Sequence, residues 1–132
     1  MLKSLAVATL TALAPLAAAA QAQAPDLSGA WQITGEINAG AATAKAAPLC
    51  TLKQTGAQLS GGCEGPRAKG TATGLISGRH VAWQWHATSK AIIGVSGLTS
   101  FDGDLGADGV IRGTWTTTQL PGAKGTFSAQ RR

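Results

Sequence analysis

Two histidines, three closely spaced aspartates and two cysteines carry most of the chemistry that this chain has to offer. His80 and His86 flank Val81-Ala82-Trp83-Gln84-Trp85. On an extended segment that spacing puts both imidazoles on one face but roughly 20 Å apart, too far to chelate a single metal. Each remains a candidate lone acid or base on the surface, or in the interior if the segment faces the other way. Asp102 and Asp104 share a face, with Asp108 in the turn that follows. Calcium asks for about six to eight oxygens, so solvated hairpin carboxylates explain these three better. Gly61-Gly62 falls within an extended run rather than ahead of a helix, which excludes a phosphate loop, and the chain has no Gly-x-Ser-x-Gly elbow. Cys50 and Cys63 are better explained as a disulfide than as nucleophiles. No catalytic residue, metal or cofactor is assigned on these grounds.

The elements that would position these residues begin after a leader. Lys3, an apolar run from Leu5 to Ala20 and two overlapping small-x-small sites resemble a secretory signal peptide covering residues 1–22. Cleavage after Ala22 is favoured over Ala24, because Pro25 would directly follow the second site. The run is short, rich in alanine and interrupted by Pro15, so no membrane span is expected. Without Lys3, ten Lys and Arg stand against six Asp and Glu in a segment the size of one domain, about residues 27–131. The cations are scattered rather than striped among aromatics, which argues against nucleic acid and suits an anionic ligand or an acidic surface. An exported, periplasmic or secreted protein is expected, and export agrees with one disulfide.

From Gly29 onward the sequence alternates in glycine-punctuated runs. Strands are expected at 30–37, 48–55, 58–64, 68–76, 80–87, 97–105, 110–118 and 123–130, with no helix after the leader. Hairpin arithmetic tests this. A two-residue turn at Gly56-Ala57 suits type II′, pairs Thr55 with Gln58, and brings Cys50 opposite Cys63 at a position without hydrogen bonds, where side chains approach most closely. A turn around Ser77-Gly78-Arg79 puts Gly70, Ala72, Gly74 and Ile76 on the face of Val81, Trp83 and Trp85. An Ala107-Asp108-Gly109 loop sets Gly103 against Gly113 and Phe101 against Trp115. Leu120-Pro121-Gly122 would close the last hairpin, placing Trp115 on the face of Gly125 and Phe127. Eight short strands joined by tight turns predict an all-β, eight-stranded antiparallel up-and-down β-barrel. The first and last strands then meet, and Arg131 or Arg132 reaches Trp31.

Asp26-Leu27-Ser28-Gly29-Ala30-Trp31, with its Gly-x-Trp opening the first strand and a terminal arginine near that tryptophan, resembles the calycin group of barrels, which includes lipocalins, avidins and bacterial metalloprotease inhibitors. The resemblance spans about residues 27–131. It implies a barrel that binds a guest in its bore or a partner through its tail and loops. Avidin-like biotin binding is not expected, since the chain has no Tyr and a single Asn, Asn38. The inhibitor branch, matched best over residues 26–63, implies a protein partner met by a short tail, here Gln23-Ala24-Pro25-Asp26.

The expected inner face carries Trp31, Trp83, Trp85, Phe101, Trp115 and Phe127 with Ile33, Leu52, Leu59, Val81 and Ile111, and no ionisable group. It is either filled by tryptophan or open to one small ligand. Up-and-down topology gathers the Asn38–Ala47 segment, Gly65-Pro66-Arg67 and the Thr88–Ser96 loop at one rim. That rim holds Lys45, Arg67, Lys69, Lys90 and Lys124 against Glu64, with Ile92 and Ile93 as an apolar lip. The favoured function is a non-catalytic binding protein for an apolar or amphipathic small molecule, anionic or not, held in the barrel at the long-loop end, with Lys45, Arg67 and Lys90 at its mouth. The alternative is a protein-interaction module such as a periplasmic protease inhibitor. An enzyme or a scaffold is a third class, and no oligomeric state is assigned.

Overall fold

The computed structural model describes residues 25–39, 42–119, 122 and 124–132. The leader-like segment and Leu120-Pro121 of the last hairpin lie outside the described residues. The described residues form nine strands: β1 (Gly29–Ala39), β2 (Ala42–Ala46), β3 (Leu49–Thr55), β4 (Gln58–Glu64), β5 (Ala68–Ser77), β6 (His80–Ser89), β7 (Ser96–Leu105), β8 (Ile111–Thr117) and β9 (Lys124–Arg131). From β3 to β9 each strand pairs antiparallel with the next, and β1 pairs with both β3 and β9. Eight strands therefore close an up-and-down barrel, which leaves no edge along most of its wall.

Segment Asn38–Ala47, expected as a loop, instead carries the end of β1 and all of β2. Its register runs from Gly35 opposite Ala46 to Ala39 opposite Ala42. Ala47-Pro48 then interrupts the returning chain before β3 pairs with the start of β1. Proline has no N–H for a ladder, so the break falls where pairing would fail in any case. The Ile33 amide nevertheless donates to the Pro48 carbonyl at 3.0 Å, carrying the hairpin across the gap.

The turn chemistry accounts for the registers. Gly56 and Gly78 adopt φ of +61° and +60°, and among the described residues none other than glycine has positive φ, so each is the first corner of a Gly-x turn of type II′. These turns place Thr55 opposite Gln58 and Ser77 opposite His80. Gly109, at φ +80°, closes the 107–109 loop, and the Gly106 amide donates to the Val110 carbonyl at 2.8 Å. Gly103 then lies opposite Gly113 and Phe101 opposite Trp115. Cys50 and Cys63 are paired, bonded and buried, with Cα atoms 4.0 Å apart.

Alternation separates inside from outside. On β6, Val81, Trp83, Trp85 and Ala87 are buried while His80, Gln84 and His86 are exposed. The two histidines therefore face solvent. On the inner face Gly74 sits opposite Trp83 and Gly125 opposite Trp115. A Cβ at Gly125 would run into the Trp115 indole, and one at Gly113 into the Asp102 carbonyl. Small residues are required where rings or neighbouring strands come closest.

The end carrying the termini is closed. Leu27 is fully buried there, and its amide donates to Gln54 Oε1 at 2.8 Å. Trp31 Nε1 donates to the Leu27 carbonyl at 2.9 Å. Arg131 lies opposite Trp31 in the β1–β9 register, with its guanidinium carbon 4.6 Å from the indole centroid. Its two terminal nitrogens donate to the Ser28 and Asp26 carbonyls. Leu27 is thus a plug clamped by the seam.

The 13-residue separation of the cysteines sets the expected value of the cross-link. Replacing both, as Cys50→Ala with Cys63→Ala, is expected to cost about 3 kcal/mol in urea unfolding, mainly by freeing the unfolded chain. A change under about 0.5 kcal/mol would show that the β3–β4 register needs no staple.

Candidate functional site

Three places bring chemistry together: the bore, the long-loop rim and the outer face of β6–β7. In the bore, Trp83 stacks on Phe101 with centroids 4.7 Å apart, and Phe127 meets both edge-on at 5.4 and 5.3 Å. Trp31 and Trp85 are buried as well. Trp115, half-buried, lies in the β1–β9 seam and shares its N–H between the Glu36 and Thr126 carbonyls at 3.2 and 3.1 Å. These six residues, expected to line a ligand site, chiefly touch one another and the wall. The space left at the long-loop end, among Ile33, Thr99, Phe101 and Trp115, is about 30 Å³. A small-molecule pocket is typically about 300–1,000 Å³, whereas this space suits a water or two. The bore is therefore packed rather than hollow, with a small void beneath the rim.

Two indole N–H groups in the bore, those of Trp83 and Trp85, have no acceptor from the protein although both rings are buried. A buried donor left unpaired costs about 1–3 kcal/mol. By contrast the Trp31 N–H is matched by Leu27.

The rim residues fall in a different place from the rings. Connections 65–67 and 90–95 gather with the end of β8, the start of β9 and the paired ends of β1 and β2 opposite the termini. Lys45, Arg67, Lys69, Lys90 and Lys124 are exposed there. Lys90 Nζ bonds Glu64 Oε1 at 3.1 Å, and the Lys90 amide donates to the Arg67 carbonyl at 2.9 Å, so two loops are tied at their feet. Among the described residues no carboxylate lies within ion-pairing distance of Lys45, Arg67, Lys69 or Lys124. Below the rim, an open groove on the outer wall runs between Glu64, Lys69, Lys90 and Arg132.

The 90–95 loop is ordered by its own hydrogen bonds. Ser89 Oγ accepts from the Ala91 and Ile92 amides at 3.2 and 3.1 Å, and the Ser89 amide donates to the Val95 carbonyl at 2.8 Å. Ile92 to Val95 is a turn whose third residue, Gly94, has φ +83°. Glycine there permits a type II geometry, and Ile93 becomes the outward corner. Ile93 is fully exposed, Ile92 61% and Val95 41%.

On the outer face, His80 is clamped between carboxylates on β7. Its Nδ1 is 3.0 Å from Asp104 Oδ1 and its Nε2 3.2 Å from Asp102 Oδ1. The Asp104 hydrogen bond and the Asp102 charge raise its pKa above the ordinary histidine value. Both ring nitrogens face a carboxylate, and in its protonated form the ring donates to both and ties β6 to β7. Asp108 is held down to about 2 by the Arg112 guanidinium, 2.8 Å away, and by the Val110 amide. His86 has no such partner among the described residues, and no group of three metal-ligating side chains is found among them. The β6–β7 register that creates the clamp follows a long loop, so no turn rule foretells it.

Fold and site together define a small, disulfide-stapled antiparallel barrel with one plugged end and one cationic, loop-bearing end. No protein-family model matches the sequence, and no curated protein matches it at a significant level.

Trp85→Phe is expected to cost less stability than Trp31→Phe by about 1 kcal/mol in urea unfolding, because the first removes an unpaired donor and the second strips the plug of its bond. Equal costs would mean that the Trp85 N–H is satisfied. For His80, the raised folded pKa means its contribution is fully present below about pH 6.5 and is lost as pH rises through the folded value. The melting-temperature gap between the protein and His80→Gln should therefore be wider near about pH 5.5 than near about pH 8.5. A gap independent of pH would remove the clamp.

Proposed function

We propose that this chain is an exported, non-catalytic binding barrel that takes an amphipathic anion at its long-loop rim. The apolar part of the ligand lies against Ile92, Ile93 and Val95, and its charge against Arg67 and Lys45. The observation that carries this reading is the ordered Ile92–Val95 turn, which holds apolar side chains in solvent beside exposed cations. Burying them against a ligand would recover about 25 cal/mol per Å² of apolar surface. The bore is a poorer host, since the void at its long-loop end is about 30 Å³ and its rings pack on one another. Export is supported by the leader-like residues 1–22 and by the disulfide, which fits an oxidising compartment.

An inhibitor acting through its N-terminal tail draws less support. Asp26 and Ser28 are fastened by Arg131, and Leu27 is drawn into the barrel floor. Little of a tail beginning at Gln23 would then be free to enter a cleft.

Titration of isotopically labelled protein with decyl sulfate below its micelle concentration tests the reading by amide shifts. Shifts are expected at residues 90–95, 65–67 and 45, with Arg67→Glu weakening binding roughly fivefold or more through charge reversal. Shifts confined to the bore indoles of Trp83 and Trp85, or no binding, would overturn it.

A further inference from the structure

We infer that the long-loop rim docks on an anionic lipid surface, with the Ile92–Val95 turn inserted among the lipids and the surrounding cations on their headgroups. This rests on the rim reading above and names the assembled form of its ligand.

The exposed apolar side chains are concentrated in one place. Of the four exposed large apolar residues among the described residues, three are Ile92, Ile93 and Val95. They lie on a single turn that projects from the end of the barrel, and hydrogen bonds from Ser89 and the 92–95 turn keep them there. A fully exposed isoleucine on an ordered corner is not disorder. Its foot is fixed as well, through the Lys90 amide on the Arg67 carbonyl and Lys90 on Glu64.

Charge is distributed along the barrel axis to match. All four aspartates, Asp26, Asp102, Asp104 and Asp108, lie at the plugged end or in its turns. Three of them are engaged there by His80 and Arg112. The long-loop end carries five cations against Glu36 and Glu64, an excess of three, whereas Lys53, Arg79, Arg112, Arg131 and Arg132 toward the plugged end exceed its four aspartates by one. A planar anionic surface is therefore met by the apolar turn and the cations together, while the aspartates face away from it.

The shape favours lipid over a protein partner. An interface between proteins needs a broad, complementary patch of roughly 800 Å² on each side. Three side chains on one projecting turn instead suit an interfacial layer about 5–10 Å deep, where apolar contact and basic residues add. Attraction of this kind is strongest at low ionic strength.

Sedimentation of the whole protein with vesicles tests the inference, using phosphatidylcholine alone and phosphatidylcholine with about one third phosphatidylglycerol. The anionic vesicles are expected to bind at least roughly tenfold more tightly, with affinity falling as salt rises. Ile92→Ser with Ile93→Ser should reduce that binding at least roughly tenfold while leaving the melting temperature unchanged, since both side chains are outside the core. Arg67→Gln with Lys45→Gln should abolish the preference for the anionic vesicles. Failure of the protein to sediment with either vesicle, alongside amide shifts from decyl sulfate at the rim, would overturn lipid docking and leave the rim site standing. Failure of both would remove both. Binding to vesicles unaffected by the isoleucine pair would also overturn it, as would capture by an acidic protein and not by vesicles.

Discussion

The bore of an eight-stranded barrel is only as wide as the side chains that fill it, and here it must accommodate indole and phenyl rings without a charged group among them. That is possible because glycine stands opposite the rings. Gly74 faces Trp83, Gly125 faces Trp115, and Gly113 lies across from Phe127. Without a Cβ at these positions the Trp83, Phe101 and Phe127 rings can stack and tilt into one layer. Closure of the β1–β9 seam depends on the same device, since the Trp115 indole lies over Gly35 and Gly125 while its N–H reaches the Glu36 and Thr126 carbonyls. Every later feature, from the plug to the rim, assumes this packed cylinder.

A filled bore moves any recognition to the ends and the wall. The two ends differ in the way a one-sided tool differs from a tube. At one, Leu27, Trp31 and Arg131 interlock, His80 sits between Asp102 and Asp104, and Arg112 pairs with Asp108. At the other, loops project, Lys90 alone of the five rim cations pairs with a carboxylate among the described residues, and an apolar turn is held outward. Interior residues of the first kind are selected for volume, and rim residues of the second kind are under no packing demand at all. Residues that packing does not explain are the ones on which a functional reading should rest.

Much of the fold was legible because strand faces repeat every second residue and Gly-x turns set the register without reference to anything distant. The Cys50–Cys63 pairing, the Phe101–Trp115 pairing and the approach of Arg131 to Trp31 follow from local counting plus closure. What local counting missed depends on space or on long connections. The run containing β2 is Ala-rich and lacks an apolar alternation, so nothing marks it as a ribbon; its order comes from pairing with an extended β1. Leu27 lies outside every strand, and its burial is decided by Gln54 and Trp31 from other parts of the barrel. The register between β6 and β7 follows a six-residue excursion, which left the meeting of His80 with Asp102 and Asp104 unseen. Whether the rings fill the bore is a question of volume in three dimensions, and the order of residue types does not answer it.

The seam that joins β1 to β9 also dictates when the molecule can become itself. Ser28 and Arg131, which it brings into contact, are 103 residues apart in the chain. Consecutive hairpins can form as soon as their turns exist, but the first strand waits for the last, and the plug has nothing to lock against until Arg131 arrives. Long-range closure of this sort is slow compared with hairpin formation. Until β9 arrives, β1 keeps an unpaired edge from Trp31 to Asn38, and pairing there completes the cylinder.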